Sequence, residues 1–170
     1  YLQAINTLAR KHTMKKTRVV ICTLFTFGAT AGTEDSGNEL SYEHFVHSDK
    51  PIKCLYGYAA EKVGDHDAAI AIFEDCIARW ESVYAMIWLA QIYDTGIGVP
   101  QNLEKAAALL KRGAHTQDEA GYSSLAKYHY GIILLEGRGV PVNKQAGIEW
   151  LHRAADEGVD EAKDYLQSMP

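Results

Sequence analysis

The sequence lacks the short motifs that carry most enzyme chemistry. Neither an H-E-x-x-H zinc motif nor a G-x-S-x-G nucleophile turn occurs in its 170 residues. Its two G-x-G segments are not followed by the further glycine or the G-K-[ST] of nucleotide loops. His44 and His47 have helical spacing, but a zinc site needs three or four ligands and no third lies near them. We therefore expect no enzyme activity, no metal and no cofactor.

Positive charge is scarce beyond the N-terminus. The formal net charge is -5, yet residues 1–31 hold five basic residues and no acidic one. The remainder has 12 basic against 22 acidic residues, a balance of -10. A chain segment this acidic repels the phosphate backbone of nucleic acids, so we expect no nucleic-acid partner.

Long apolar runs are also missing. The apolar run at 19–27 is shorter than the roughly 20 residues that span a bilayer. It follows Met14 and three basic residues, and it precedes the small-residue site Ala29-Thr30-Ala31, which is the order of a secretory signal peptide. We predict a signal peptide at 14–31, removed near Ala31, and a periplasmic or secreted bacterial protein; a buried core helix is the alternative. Residues 1–13 are interpreted as upstream sequence or an expression remnant.

The sequence does contain an internal repeat. The segments GIGVPQN at 96–102 and GRGVPVN at 137–143 are 41 residues apart. The same offset relates small and apolar residues on both sides of each loop: Ala85, Leu89, Ala90 and Tyr93 match Ala126, Tyr130, Gly131 and Leu134, and Ala106, Leu109, Leu110 and Ala114 match Gly147, Trp150, Leu151 and Ala155. Spacings of three and four predict helices, and the loop glycines, Pro100 and the N-cap candidate Asn102 predict a tight connection. Each unit is therefore a helix, a Gly/Pro loop and an antiparallel helix.

This pattern resembles the Sel1-like repeat, a relative of the tetratricopeptide repeat. The resemblance implies an all-α fold, a right-handed α-solenoid of helix hairpins. We expect units at about 50–80, 82–117 and 119–158, a capping helix at 159–168, and a polar leader at 32–49 with room for a short helix. The first unit departs from the pattern because it lacks the G-V-P loop.

Two cysteines remain beyond the signal segment. Cys54 lies about ten residues before the turn at Gly64, and Cys76 lies about eleven after it. These positions face each other in an antiparallel hairpin, so an oxidising destination favours a disulfide. Two buried free thiols are the alternative, while the absence of C-x-x-C argues against a catalytic dithiol.

The resemblance also implies a function, because proteins of this repeat class generally bind other proteins and mediate complexes. We expect a non-catalytic, monomeric scaffold that binds a protein through the first helices, which line the concave face. The residues expected to point outward there are Trp88, Tyr58, Met86, Gln91, Lys127 and His129. Trp88 and Tyr58 suit interface anchors, although Trp88 packing on an adjacent repeat is equally open. Two alternatives are an immunity protein that neutralises a lipase-type antibacterial effector and a regulator of a cell-envelope enzyme.

Overall fold

The computed structural model describes residues 42–118 and 120–169, and every regular element there is an α-helix. The predicted signal peptide and the residues before it lie outside this part of the chain. The helices are α1 (Glu43–Val46), α2 (Lys53–Lys62), α3 (His66–Trp80), α4 (Val83–Thr95), α5 (Leu103–His115), α6 (Tyr122–Glu136), α7 (Lys144–Asp156) and α8 (Asp160–Ser168).

The helices pack as consecutive hairpins. α2 pairs with α3, α4 with α5, and α6 with α7, while α8 packs on α7 and α1 lies against α3 and α2. Each hairpin also packs on the next one through its second helix. The predicted all-α fold of repeated helix hairpins is therefore confirmed.

The loops of the second and third hairpins share one geometry. Gly96 and Gly137 end α4 and α6 in the left-handed conformation, with φ of 70° and 74°. Asn102 and Asn143 then cap α5 and α7, because each side-chain oxygen accepts a hydrogen bond from the backbone N–H three residues later, at 2.9 and 3.0 Å. The predicted connection and its N-cap are confirmed.

The second glycine of each G-x-G segment packs on the hairpin before it. A Cβ on Gly98 would overlap the imidazole of His66 at the start of α3. A Cβ on Gly139 would overlap the backbone of Leu103 at the start of α5. Both glycines also have positive φ. The motif therefore closes a hairpin and also lets that hairpin dock on its predecessor.

The first hairpin is held by a disulfide. Cys54 and Cys76 are bonded, with their Cα atoms 6.0 Å apart, so the predicted bridge is present. Next to it, the fully buried Lys53 donates a hydrogen bond to the carbonyl of Val46 at 2.7 Å and forms an ion pair with Asp75. The hydrogen bond from Lys53 holds the pKa of Asp75 below its usual value, against the opposing effect of burial. Lys53 thus ties α1, α2 and α3 together without leaving a buried charge unpaired.

The two sides of the stack differ. First helices of neighbouring hairpins contact each other, α2 with α4 and α4 with α6, more extensively than the second helices do. The side formed by the second helices is wider, because a groove of about 470 Å³ separates α3 from α5. Ile77, Tyr93 and Leu109 are among the residues that line this groove. The row of first helices is therefore the inner side of the stack, and we call it the first-helix face.

Candidate interaction surface

A continuous group of aromatic rings crosses the first-helix face. Tyr58 of α2 lies 4.5 Å from Trp88 of α4, measured between ring centroids. Tyr84 lies 6.2 Å from Trp88 and 5.2 Å from Tyr122 of α6. We call these four residues the aromatic band. It spans all three hairpins, because each contributes at least one ring from its first helix.

A lysine side chain covers one end of the aromatic band. The ammonium of Lys62 lies 5.1 Å from the ring centroid of Tyr58 and 5.5 Å from that of Trp88. These distances are within the range of a cation–π interaction. Lys62 has no ion pair among the described residues, so it places a positive charge beside exposed aromatic area.

The surroundings of Tyr84 in the band favour its neutral form. Burial raises the pKa of Tyr84, and the neighbouring hydroxyls of Tyr122 and Tyr58 raise it further. A neutral phenol keeps its proton and can donate a hydrogen bond. The band therefore offers apolar ring faces with hydroxyl groups, a combination that suits binding rather than acid–base chemistry.

A groove lies beside the band, between α4 and α6. Its volume is about 270 Å³, and Ala90, Leu110 and Ile133 supply apolar surface. Gln91 and His129 add polar groups to its wall. A groove of this kind accepts an apolar side chain and offers hydrogen bonds at its rim.

Charged and titratable groups shape this groove. Arg138, from the loop after α6, forms an ion pair with Asp94 near the end of α4. Burial lowers the pKa of His129, and the carboxylate of Glu161 opposes this shift only in part. The imidazole is therefore neutral at neutral pH, with one nitrogen as donor and the other as acceptor.

The structure brings four of the predicted binding residues into these two features. Tyr58 and Trp88 form one end of the aromatic band, with 37% of the Tyr58 surface exposed and Trp88 half-buried. Trp88 thus packs on the adjacent hairpin and still contributes to the surface. Gln91 and His129 line the groove on opposite helices.

Met86 is buried, so the prediction that it belongs to the binding surface is wrong. It was expected to point outward, but its side chain is fully buried. α4 is the central first helix. It packs against the second helices α3 and α5 and also against the first helices α2 and α6, so it is covered on more than one side. Met86 fills the space beside Gly113 of α5, where a Cβ would lie 3.7 Å from its sulfur.

Lys127 has a structural partner. Its ammonium lies 2.5 and 2.6 Å from the two carboxylate oxygens of Glu157 after α7, and Ser124 donates a hydrogen bond to the same carboxylate. Although burial opposes it, these hydrogen bonds hold the pKa of Glu157 below its usual value. The Lys127 charge is therefore committed to joining α6 to the end of α7.

Three contributors to the surface were missed by sequence reasoning. Lys62 is the last residue of α2, and only the tertiary packing places it over two rings. Asp94 and Arg138 are 44 residues apart and lie in different hairpins. No spacing pattern in the sequence relates Lys62 to the two rings or Asp94 to Arg138, so the sequence alone holds no signal for these contacts.

The described residues provide no obvious metal site and no helix that could cross a membrane. In residues 42–118 and 120–169, no three His, Cys, Asp or Glu side chains are grouped to hold a metal ion. Within the same ranges, no helix combines the length and the apolar character of a membrane span.

Comparisons with known proteins find a family-model match and a similar solved structure. A comparison with curated proteins finds no match. Among solved structures, the chain is similar to cysteine rich protein B (hcpB) of Helicobacter pylori, with 17% identity and a TM-score of 0.47, over 68% of this chain and 93% of that chain. Residues 83–115 and 124–159 match the family model described as the Sel1 repeat. These ranges correspond to α4–α5 and α6–α7, the second and third hairpins of the stack.

Proposed function

We propose that this protein is a non-catalytic scaffold that binds a protein partner through its first-helix face. The observation that carries the proposal is the aromatic band, which runs over all three hairpins beside the groove between α4 and α6. Sel1 repeats support a role in protein interaction, and helical repeats use their inner faces for this purpose.

Large aromatic rings with polar tips are the usual anchors of protein interfaces, because they bury much apolar area with few rotatable bonds. Trp88 occupies the centre of the anchor, since it contacts both Tyr58 and Tyr84. The groove can take one apolar side chain of the partner, while Gln91 and His129 supply hydrogen bonds beside it. The proposed interface therefore has an apolar centre and a polar rim.

We further propose that the protein acts in the bacterial periplasm. Support comes from the disulfide between Cys54 and Cys76, which is compatible with an oxidising compartment. The basic segment, apolar run and small-residue site at 14–31 supply the export signal in this proposal.

The test is capture of partners from a periplasmic extract on immobilised protein, followed by mass spectrometry and a binding titration with the captured protein. We expect Trp88→Ala to weaken binding about tenfold or more, as is typical when a central aromatic anchor is removed. Tyr58→Ala is expected to weaken it in the same direction.

Matched controls separate the face from general apolar surface. Ile97 and Val142 lie in the loops after α4 and α6 and are 55% and 57% exposed. Ile97→Ala and Val142→Ala should leave binding unchanged. Equal binding by Trp88→Ala and the unmodified protein would reject the proposed face, and turnover of an envelope substrate by the pure protein would reject the scaffold role.

A further inference from the structure

Lys62 differs from the other charged residues of the first helices. Every other Asp, Glu, Lys and Arg side chain on α2, α4 and α6 is already engaged by an ionisable partner. The pairs are Lys53 with Asp75, Glu61 with His66, Asp94 with Arg138, Lys127 with Glu157, and Glu136 with Arg138. Lys62 has no such partner among the described residues, so it carries an uncompensated positive charge on the first-helix face.

Two aromatic rings hold Lys62 in place. Its ammonium lies 5.1 Å from the ring centroid of Tyr58 and 5.5 Å from that of Trp88, while the residue remains exposed. Contact with two rings restricts the side chain before a partner arrives, so an ion pair formed there costs less entropy than one with a mobile lysine. An ammonium donates hydrogen bonds and accepts none. This end of the aromatic band therefore favours a carboxylate.

The other end of the band opens on a groove of different character. This groove has a volume of about 450 Å³, and Tyr84 and Tyr122 line it together with two carboxylates, those of Glu81 and Asp118. No lysine, arginine or histidine is among the described residues that line it. Arg112 donates a hydrogen bond of 3.0 Å from its Nε to Glu81, so the charge of Glu81 is already compensated.

Asp118 is the carboxylate that stays available in this groove. One of its oxygens accepts a hydrogen bond from the backbone N–H of Ser123 at 3.2 Å, and it forms no ion pair within the described ranges. The second oxygen can accept further hydrogen bonds. The rings of Tyr84 and Tyr122 line the same groove, and aromatic faces attract cations. This end of the band therefore favours a basic side chain.

Side chains, and not helix ends, decide the charge preference of the groove. α4 and α6 begin beside it at Val83 and Tyr122, while α3 ends beside it at Trp80 and α5 ends at the C-cap Thr116. The positive and negative partial charges of these helix ends offset each other. The acidic balance of the whole chain is screened beyond about 8 Å at physiological ionic strength. The nearest uncompensated side chain therefore sets the preference at each end of the band.

We propose that the aromatic band binds a protein segment that places an acidic residue against Lys62, a basic residue against Asp118 and apolar side chains on the rings between them. This binding mode rests on the proposed role of the first-helix face and adds the chemistry of the partner. Successive ring centroids along the band are 4.5, 6.2 and 5.2 Å apart, a span that an extended segment covers with about five residues. A reversed segment would bring like charges together at both ends, so the two charges also fix the direction of the bound segment.

Selection of peptides tests the charge pattern without knowledge of the natural partner. The immobilised full-length protein, with its disulfide intact, is presented with a phage-displayed library of random linear peptides, and the bound peptides are sequenced. Enriched peptides should carry an acidic and a basic residue on opposite sides of an apolar stretch. Lys62→Glu should enrich peptides that lose the acidic residue and keep the basic one, and Asp118→Lys should do the reverse.

Two variants with the same changes of charge are the matched controls. Lys111→Glu on α5 and Glu149→Lys on α7 alter exposed positions of second helices. Both should enrich the same peptides as the unmodified protein. Helical circular dichroism should be unchanged in all four charge variants.

Milder variants measure the contribution of each charge. Lys62→Gln and Asp118→Asn remove the charges, and the asparagine keeps an oxygen for the backbone N–H of Ser123. Each should bind the most enriched peptide about two- to fivefold more weakly in fluorescence anisotropy, the effect of an exposed ion pair. Replacing the acidic residue of the peptide by its amide should weaken binding to the unmodified protein and leave binding to Lys62→Gln unchanged.

Binding to Trp88→Ala separates the charge pattern from the face itself. Peptides that bind Trp88→Ala as well as the unmodified protein, or the absence of any enriched peptide, would reject the first-helix face and the charge pattern with it. Peptides that depend on Trp88 but carry no charge preference, or whose charges do not change in Lys62→Glu and Asp118→Lys, would overturn the charge pattern alone. Enrichment of basic residues on both sides of the apolar stretch by the unmodified protein would also overturn it, because a partner cation would then displace Lys62 from the rings.

Discussion

Gly131 of α6 and Gly147 of α7 face each other where the two helices cross, and neither position has room for a side chain. A Cβ on Gly147 would lie 2.9 Å from the carbonyl oxygen of Gly131 and 2.7 Å from Cγ of Leu135. A Cβ on Gly131 would lie 3.0 Å from the carbonyl oxygen of Gly147. The third hairpin therefore depends on direct backbone contact.

The crossing of α6 and α7 predicts a loss of stability in Gly147→Ala. Overpacking costs about 1–3 kcal/mol, while the better helix propensity of alanine returns about 1 kcal/mol. We expect a net loss of up to about 2 kcal/mol in the free energy of unfolding, measured by urea denaturation. Gln145→Ala, on the exposed side of the same helix, should be nearly neutral. Equal stability of the two variants would contradict the close approach.

The loop glycines predict a difference between two similar substitutions. Gly64 and Gly139 both have positive φ, at 85° and 71°, so alanine carries a similar conformational cost of about 1–2 kcal/mol at each. Gly64 has open space around it, whereas a Cβ on Gly139 overlaps the backbone of Leu103. Gly139→Ala should therefore destabilise the protein more than Gly64→Ala in chemical denaturation. Equal losses would mean that the loop does not dock on the preceding hairpin.

The disulfide predicts a redox dependence of stability. Cys54 and Cys76 are separated by 22 residues, and closing a loop of that size is worth about 3 kcal/mol in the chain-entropy model. Reductant should lower the free energy of unfolding by about this amount, as measured by urea denaturation. A Cys54→Ala/Cys76→Ala double variant should not respond to reductant. Unchanged stability of the unmodified protein after complete reduction would contradict the prediction.

His129 predicts a loss of stability on acidification. Burial lowers its pKa in the folded chain, so below the ordinary value of 6.5 the unfolded chain binds a proton that the folded chain does not. Stability is therefore fully present above pH 6.5 and falls as the pH drops through the lowered pKa. His129→Gln should lose less stability than the unmodified protein between about pH 7 and about pH 5 in thermal denaturation. His152→Gln, at an exposed position, should follow the unmodified protein; identical pH profiles for all three would rule out the effect.

The helices, their loops and the disulfide could be predicted because each has a local signal. Repeated spacing of small and apolar residues marks the helix pairs, and Gly96, Asn102 and their equivalents mark the connections. Cys54 and Cys76 could be paired because their distances from one turn are nearly equal. In each case the physical cause acts within a single hairpin.

The candidate surface was harder to predict because contacts between hairpins decide it. Met86 has the spacing of an outward residue, yet four neighbouring helices surround α4 and bury it. Lys127 is a charged residue on a first helix, but Glu157 engages it. Trp88 and Tyr58 were identified individually, while their direct contact depends on how two hairpins stack.

Hydrogen–deuterium exchange with and without the captured partner tests the central claim most directly. If the partner binds the first-helix face, exchange should slow in α4 and α6, in peptides that contain Trp88, Gln91 and His129. Exchange in α5 and α7 should change little. Protection confined to α5 and α7, with α4 and α6 unaffected, would contradict the account.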